Sequence, residues 1–271
     1  MGRRERKRGE VRLFISTVSL AVLLALAAVI VRWSADHSAA IVRASPTRCD
    51  APASPSVDLS GCDLREISLI GTDLSYANLE RADLRGVDLT AVNFNHARLE
   101  KARLVRAKLV EANFSWADLR SADLSETNAE GADFQDAELS RAIFERANLE
   151  HADMRGNFHL TSLIASNLIE AQLDGADLTK ANLSDSVLER SDFENADLSG
   201  ANLTRAHAVD VRFASAILRF ADLSFADLSF TDFTQADLSY AVMSEVNITD
   251  TRWLDTRCPD GTYQEGTTPC L

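Results

Sequence analysis

The sequence is short of what usually marks an enzyme. It holds no H-E-x-x-H, no Gly-rich phosphate loop and no G-x-S-x-G, the patterns that would hold a zinc-bound water, a nucleotide phosphate or an activated serine. The five histidines, His37, His96, His151, His159 and His207, lack the spacing of metal ligands. Glycine and proline are scarce, at 11 and 5 in 271 residues. Tryptophan and tyrosine number three each against twelve phenylalanines. Cysteine is missing from the whole middle of the chain: Cys49 and Cys62 lie near one end, Cys258 and Cys270 near the other. No catalytic residue, cofactor or metal is therefore expected, and the chain reads as a non-enzyme.

What is present begins with a charge asymmetry. Net charge is −13, yet residues 1–12 are basic, with Arg3, Arg4, Arg6, Lys7, Arg8 and Arg12 against Glu5 and Glu10. This pattern is a basic tail on an acidic body. The uncharged stretch 13–31 follows. At 1.5 Å per residue it has about the length needed to span a hydrocarbon core of ~30 Å. Arg32 and Trp33 suit its far boundary. The positive-inside rule puts the tail in the cytoplasm and everything after residue 32 outside. A single-pass signal anchor in the cytoplasmic membrane is the expectation. A cleaved signal peptide and a non-membrane helix stay open as alternatives. Residues 32–56, with Pro46, Pro52 and Pro55, read as a flexible linker.

From residue 57 to residue 254 the chain repeats every five residues: a small residue, Asp or Asn, then Leu or Phe, then two variable positions. We call the Leu/Phe position the centre. Centres run from Leu59 to Met154, slip by one residue, and resume from Phe158 to Trp253. Neither a 3.6-residue helix nor a two-residue strand places every fifth residue on one face. A chain that turns a corner at each repeat does, and four corners make a coil of 20 residues. Fixed-period self-similarity marks a solenoid.

The aromatic residues test the four-sided coil. In the series Leu74, Phe94, Phe114, Phe134, Met154, Leu173, Phe193, Phe213, Phe233, Trp253, seven of ten members are aromatic. Elsewhere only the centres Phe144 and Phe158 are. The series keeps phase if the step from Met154 to Phe158 is one shortened side. The small residue two before each centre, such as Ala77 or Ala97, points inward beside it. The Asp or Asn before the centre accepts bonds from the turn backbone. Their carboxylates are spaced by the repeat and give no evidence of acid–base catalysis. The sequons at Asn113, Asn182, Asn202 and Asn247 arise from the same pattern.

The motif A-[D/N]-[L/F]-x-x resembles that of the pentapeptide-repeat family and covers residues 57–254. The resemblance implies an all-β solenoid, a right-handed quadrilateral β-helix of about ten coils. At ~4.8 Å per coil it would be roughly 48 Å long.

An open solenoid end exposes apolar centres and needs a cap. Residues 255–271 read as a C-terminal cap closed by Cys258 and Cys270, with Cys49 and Cys62 stapling the linker to the first coil. Proximity favours these two pairs among three connectivities. Disulfides need an oxidising compartment, in accord with the outside location. Leu160, Ile164 and Ile169 past the slip, and Phe220, Phe225, Phe230 and Tyr240 on the last coils, are expected to face solvent. A bulge, a kink or a small contact patch are the alternatives at Leu160, Ile164 and Ile169; a partner or self-association surface, cover by the tail, and plain exposure are those for the four aromatics. For the basic group Arg98, Lys101, Arg103, Arg106 and Lys108, docking of an anionic partner and a solvated face paired with Glu100 and Glu111 are the alternatives.

The functional expectation is a membrane-anchored scaffold or interaction module outside the cytoplasm, bound to the membrane through residues 13–31, with an unidentified protein partner and no direct nucleic-acid binding. The resemblance also implies an alternative, an acidic mimic of DNA that binds a DNA-handling enzyme such as gyrase.

Overall fold

The computed structural model describes residues 48–266 and 268–270. The expected basic tail, the span at 13–31 and most of the linker lie outside the described residues. Among those described, no helix is long and apolar enough to cross a membrane.

Residues 20 apart bridge in parallel on either side of the slip, as in Asn78↔Arg98↔Asp118↔Glu138. The coil is therefore four-sided. Side 1 carries centres Leu59 to Leu238, side 2 Leu64 to Met243, side 3 Leu69 to Ile248 and side 4 Leu74 to Trp253. Each side makes a single-residue bridge rather than an extended strand. Four of every five residues turn, lead into or leave the corner, so the ladder is one residue wide. Among the described residues, continuous strands are confined to β1 (Thr256–Arg257) and β2 (Tyr263–Gln264), and the one helical turn is the 3₁₀ segment Arg48–Asp50.

Most repeats close a corner in the same way, Glu66 and the slip at Gly156 being exceptions in lacking the positive φ. The N–H of the inward small residue donates to the preceding centre's carbonyl, as in Ala77 to Leu74 at 3.0 Å. The residue two after the centre takes a positive φ, as a type II turn requires. Glycine supplies it at Gly61 and Gly86, but Tyr76, Trp116, Arg141 and Phe220 adopt it too. The side chain before the centre completes the corner: the Ser75 N–H donates to Asp73 Oδ1 at 3.0 Å. Between coils the backbone donates both ways, as in Leu79 to the Arg98 carbonyl at 2.7 Å and Asn78 to the Val57 carbonyl at 2.8 Å.

The core is continuous. Every centre from Leu59 to Leu238 is buried, together with the inward alanines and Trp253. Burying each leucine contributes ~1.5–3 kcal/mol. The expected aromatic column stacks, with ring centroids 4.8 Å apart for Phe94 and Phe114, 5.0 Å for Phe114 and Phe134, and 4.8 Å for Phe233 and Trp253. The undersized centre Ala129 lies on side 3 between Phe134 of side 4 and Phe144 of side 2. These two rings meet edge-on at 5.6 Å. Phe144 thus supplies volume beside the alanine.

The slip costs one residue and no phase. Bridges shorten to 19 residues for one coil, from Glu138↔Asn157 to Asp153↔Gln172, then return to 20 at Asn157↔Asp177. Gly156 permits it: a Cβ there would meet the Ala137 and Phe134 carbonyl oxygens at 2.9 and 3.1 Å.

Both ends are stapled by Cys49–Cys62 and Cys258–Cys270. Residues 48–56, expected as the end of a loose linker, instead fold onto the first coil. Ala51 and Ala53 pack against the core, and the Ser56 N–H donates to the Ser75 carbonyl at 2.8 Å. At the other end β1 pairs with β2 in an antiparallel hairpin, and the Tyr240 backbone N–H donates to the Pro259 carbonyl at 2.8 Å. Met243, Val246 and Ile248 on the last coil remain half-buried.

Candidate interaction surface

With the interior occupied by its own side chains, the outward positions are what the fold offers to other molecules. The positive-φ residue of each corner stands on an edge of the rod, in register with its equivalents 20 residues away.

The structure divides the expected aromatic patch. Phe220 and Tyr240 share the edge between sides 1 and 2 and stack at 5.0 Å with 9° between ring planes. The Arg219 guanidinium lies 5.9 Å from the Phe220 ring centre. Phe225 and Phe230 are equally exposed but stand on the next two edges of the coil. A run of five-residue spacings winds around the rod, whereas neighbours along it are 20 residues apart. Leu160 is outward on the Phe220 edge at 39% exposure. Ile164 and Ile169 are half-buried, contrary to expectation. They follow their centres directly and lie on the flat of a side, flanked by the equivalent residues of adjoining coils.

A second outer stack was not anticipated. Tyr76, His96 and Trp116 share the edge between sides 4 and 1, with ring centroids 4.8 and 6.0 Å apart. The 20-residue spacing that reveals the inner column would have found it, had it been applied to the outward positions.

The basic group is ion-paired. Arg98 reaches Glu80, Arg103 reaches Asp83, Arg106 reaches Glu126 at 2.7 Å, Lys101 reaches Glu100 and Lys108 reaches Asp88. Such pairs are exposed and individually weak. Local pairs shift titration. The hydrogen bond from Arg65 holds the Asp63 carboxyl at about 2, and Arg85 lowers Asp83 by the same contact.

Charge is distributed unevenly around the rod. The edge between sides 3 and 4 carries Glu111, Glu170, Asp210 and Asp250 against Arg190. The diagonally opposite edge, between sides 1 and 2, carries Arg81, Lys101, Arg141 and Lys180 and no carboxylate. At the slip a shallow depression of about 400 Å³ opens between Asp136, Arg155, Gly156 and Asp174. Among the described residues no cluster has the make-up of a metal site.

Comparison with known proteins accords with this geometry. The profile described as Pentapeptide repeats matches eight copies within residues 56–90, 157–205 and 216–252. A second, Pentapeptide repeat region, matches residues 78–154. Together they take in more than half of the chain.

The chain belongs to the pentapeptide-repeat family.

Members of this family form right-handed quadrilateral β-helices. Among solved pentapeptide-repeat structures, HetL, involved in heterocyst differentiation regulation in the cyanobacterium Nostoc sp. strain PCC 7120, is 28% identical. The match covers 78% of this chain and 90% of HetL, with a TM-score of 0.34. QnrB1, a plasmid-mediated fluoroquinolone resistance protein, is 20% identical over 73% of this chain and 93% of its own, with a TM-score of 0.39. A pentapeptide-repeat protein of the Arabidopsis thaliana thylakoid lumen is 26% identical over 55% and 69%, with a TM-score of 0.15. A search among curated proteins finds no match.

Proposed function

We propose that this pentapeptide-repeat protein is a non-enzymatic interaction rod, anchored through residues 13–31 and projecting outside the cytoplasm. The supporting observation is the filled interior: centres and inward alanines alike are buried against one another along the whole axis, so recognition falls to the outer edges. The disulfides stapling both ends fit an oxidising location. A reporter fused after residue 271 tests the topology. Activity of a periplasm-dependent reporter supports it, and activity of a cytoplasm-dependent one overturns it. Crosslinking in native membranes, followed by identification of what co-purifies, would name the partner.

The acidic edge between sides 3 and 4 favours a second reading, in which the rod presents a DNA-like row of negative charge to a DNA-handling enzyme such as gyrase. Absence of any effect of the full chain on purified gyrase supercoiling would remove it.

A further inference from the structure

The edge between sides 1 and 2 differs from the rest of the surface. From Arg141 to Tyr240 its outward residues are Arg141, Leu160, Lys180, Gly200, Phe220 and Tyr240, on successive coils. The row beside it on side 1 is Ser140, His159, Thr179, Ser199, Arg219 and Ser239. The row on side 2 is Ile143, Ser162, Asn182, Asn202, Asp222 and Val242. Eighteen adjoining positions thus hold one carboxylate, Asp222, in a chain with 41 acidic and 28 basic residues.

The cations here are placed differently from the others. Almost every other described arginine or lysine of the repeat lies within reach of a carboxylate, whereas Arg141 and Lys180 form no ion pair among the described residues. Between them stands Leu160, 39% exposed, and beyond them Phe220 and Tyr240, about 60% exposed. Val242 and Ile143 flank the ridge, also exposed. Apolar side chains interleaved with unpaired cations on a straight ridge are suited to a flat anionic interface. The cations meet headgroup phosphates while Leu, Phe and Tyr enter the headgroup layer.

We propose that this edge docks the rod along the surface of an anionic lipid bilayer. Charge complementarity fixes the orientation, because Glu170, Asp210 and Asp250 lie on the diagonally opposite edge and point away from the lipid. Six coils at ~4.8 Å spacing give a contact line of roughly 24 Å. A duplex nucleic acid would also meet the cations, but it offers nothing to the aliphatic members. The inference does not depend on the anchor at 13–31, since docking is a property of the edge.

The test uses the full chain carrying one spin label, at Ser199→Cys on the strip or at Asp210→Cys on the opposite edge. The native cysteines are paired and do not compete for the label. Collision with oxygen and with a water-soluble nickel chelate is compared on phosphatidylcholine vesicles with and without phosphatidylglycerol. The expected result is lipid shielding of the Ser199→Cys label on anionic vesicles only, with the Asp210→Cys label aqueous on both. Each cation near an anionic surface strengthens binding about fivefold, so R141S/K180S should weaken docking about 25-fold. Serine already occupies this corner position at Ser121 and Ser215, so the variant keeps the fold, checked by its thermal midpoint. An aqueous Ser199→Cys label on anionic vesicles overturns the proposal, whether or not the chain is otherwise held in the membrane. Equal shielding on neutral vesicles, or loss of shielding to a competing DNA duplex, also overturns it.

Discussion

A single phenylalanine can matter greatly or hardly at all in this chain, and its position within the coil decides which. Phe114 stacks between Phe94 and Phe134 with no exposed surface. Phe114→Ala should cost about 3–5 kcal/mol, whereas Phe220→Ala, on an exposed edge where only its stack on Tyr240 is lost, should cost no more than about 0.5–1.5 kcal/mol. Urea unfolding midpoints of the two variants check the contrast. Titration is equally local. The folded pKa of Asp63 lies at about 2, below the ordinary 3.8, because of the Arg65 hydrogen bond. The contact therefore adds stability above the ordinary value, and that contribution is lost as pH falls through the folded one. Both side chains are about half exposed, which keeps the contribution small. Carbon-13 titration should place the Asp63 midpoint near 2 in the native chain, rising toward 3.8 in Arg65→Met.

The corner and the side are the elements here, and they differ in what they tolerate. At Gly175 an added Cβ meets nothing, but φ is +71°. At Gly156 the backbone is ordinary, but an added Cβ meets two carbonyl oxygens at close range. Gly175→Ala should cost about 1 kcal/mol, like the many non-glycine corners. Gly156→Ala should cost about 1–3 kcal/mol, because backbone must shift. Thermal midpoints rank the pair. Most of this level was legible in the sequence. The period of five placed the centres, the period of 20 placed Phe94 above Phe114, and the step from Met154 to Phe158 located the shortened side. Ile164 and Ile169 were misread because a one-dimensional pattern does not show how far equivalent residues of adjoining coils cover the flat of a side. The Phe220–Tyr240 and Tyr76–His96–Trp116 stacks obey a rule already visible in the sequence, but side by side on the outside they follow the long period, not the short one.

At the scale of the whole rod, neighbouring coils carry the stability, so length is adjustable while phase is not. Deleting one full coil, residues 178–197, should join equivalent positions and leave a folded, shorter rod. Deleting only 178–182 would move every later centre back to the preceding side and separate Phe193 from the column above it, although all centres would still point inward. Circular dichroism melting should show a higher midpoint for the 20-residue deletion than for the five-residue one. The ends behave otherwise. The loop closed by Cys258 and Cys270, 12 residues apart, restrains the terminal coil by about 3 kcal/mol in chain entropy. In the Cys258→Ser/Cys270→Ser variant, faster hydrogen exchange should appear at Leu238 to Arg257 and leave the central coils unchanged.

The one-residue bridges have a mechanical consequence. Tension applied between the two ends loads one thin ladder rung at a time, and no strand spans more than its own side. Each coil that yields would release 20 residues, or roughly 70 Å of extended chain, in place of the ~4.8 Å it occupied. Stretched in an optical trap, the molecule would pay out in equal steps, as a ratchet strap does, and would stop short at the stapled loops.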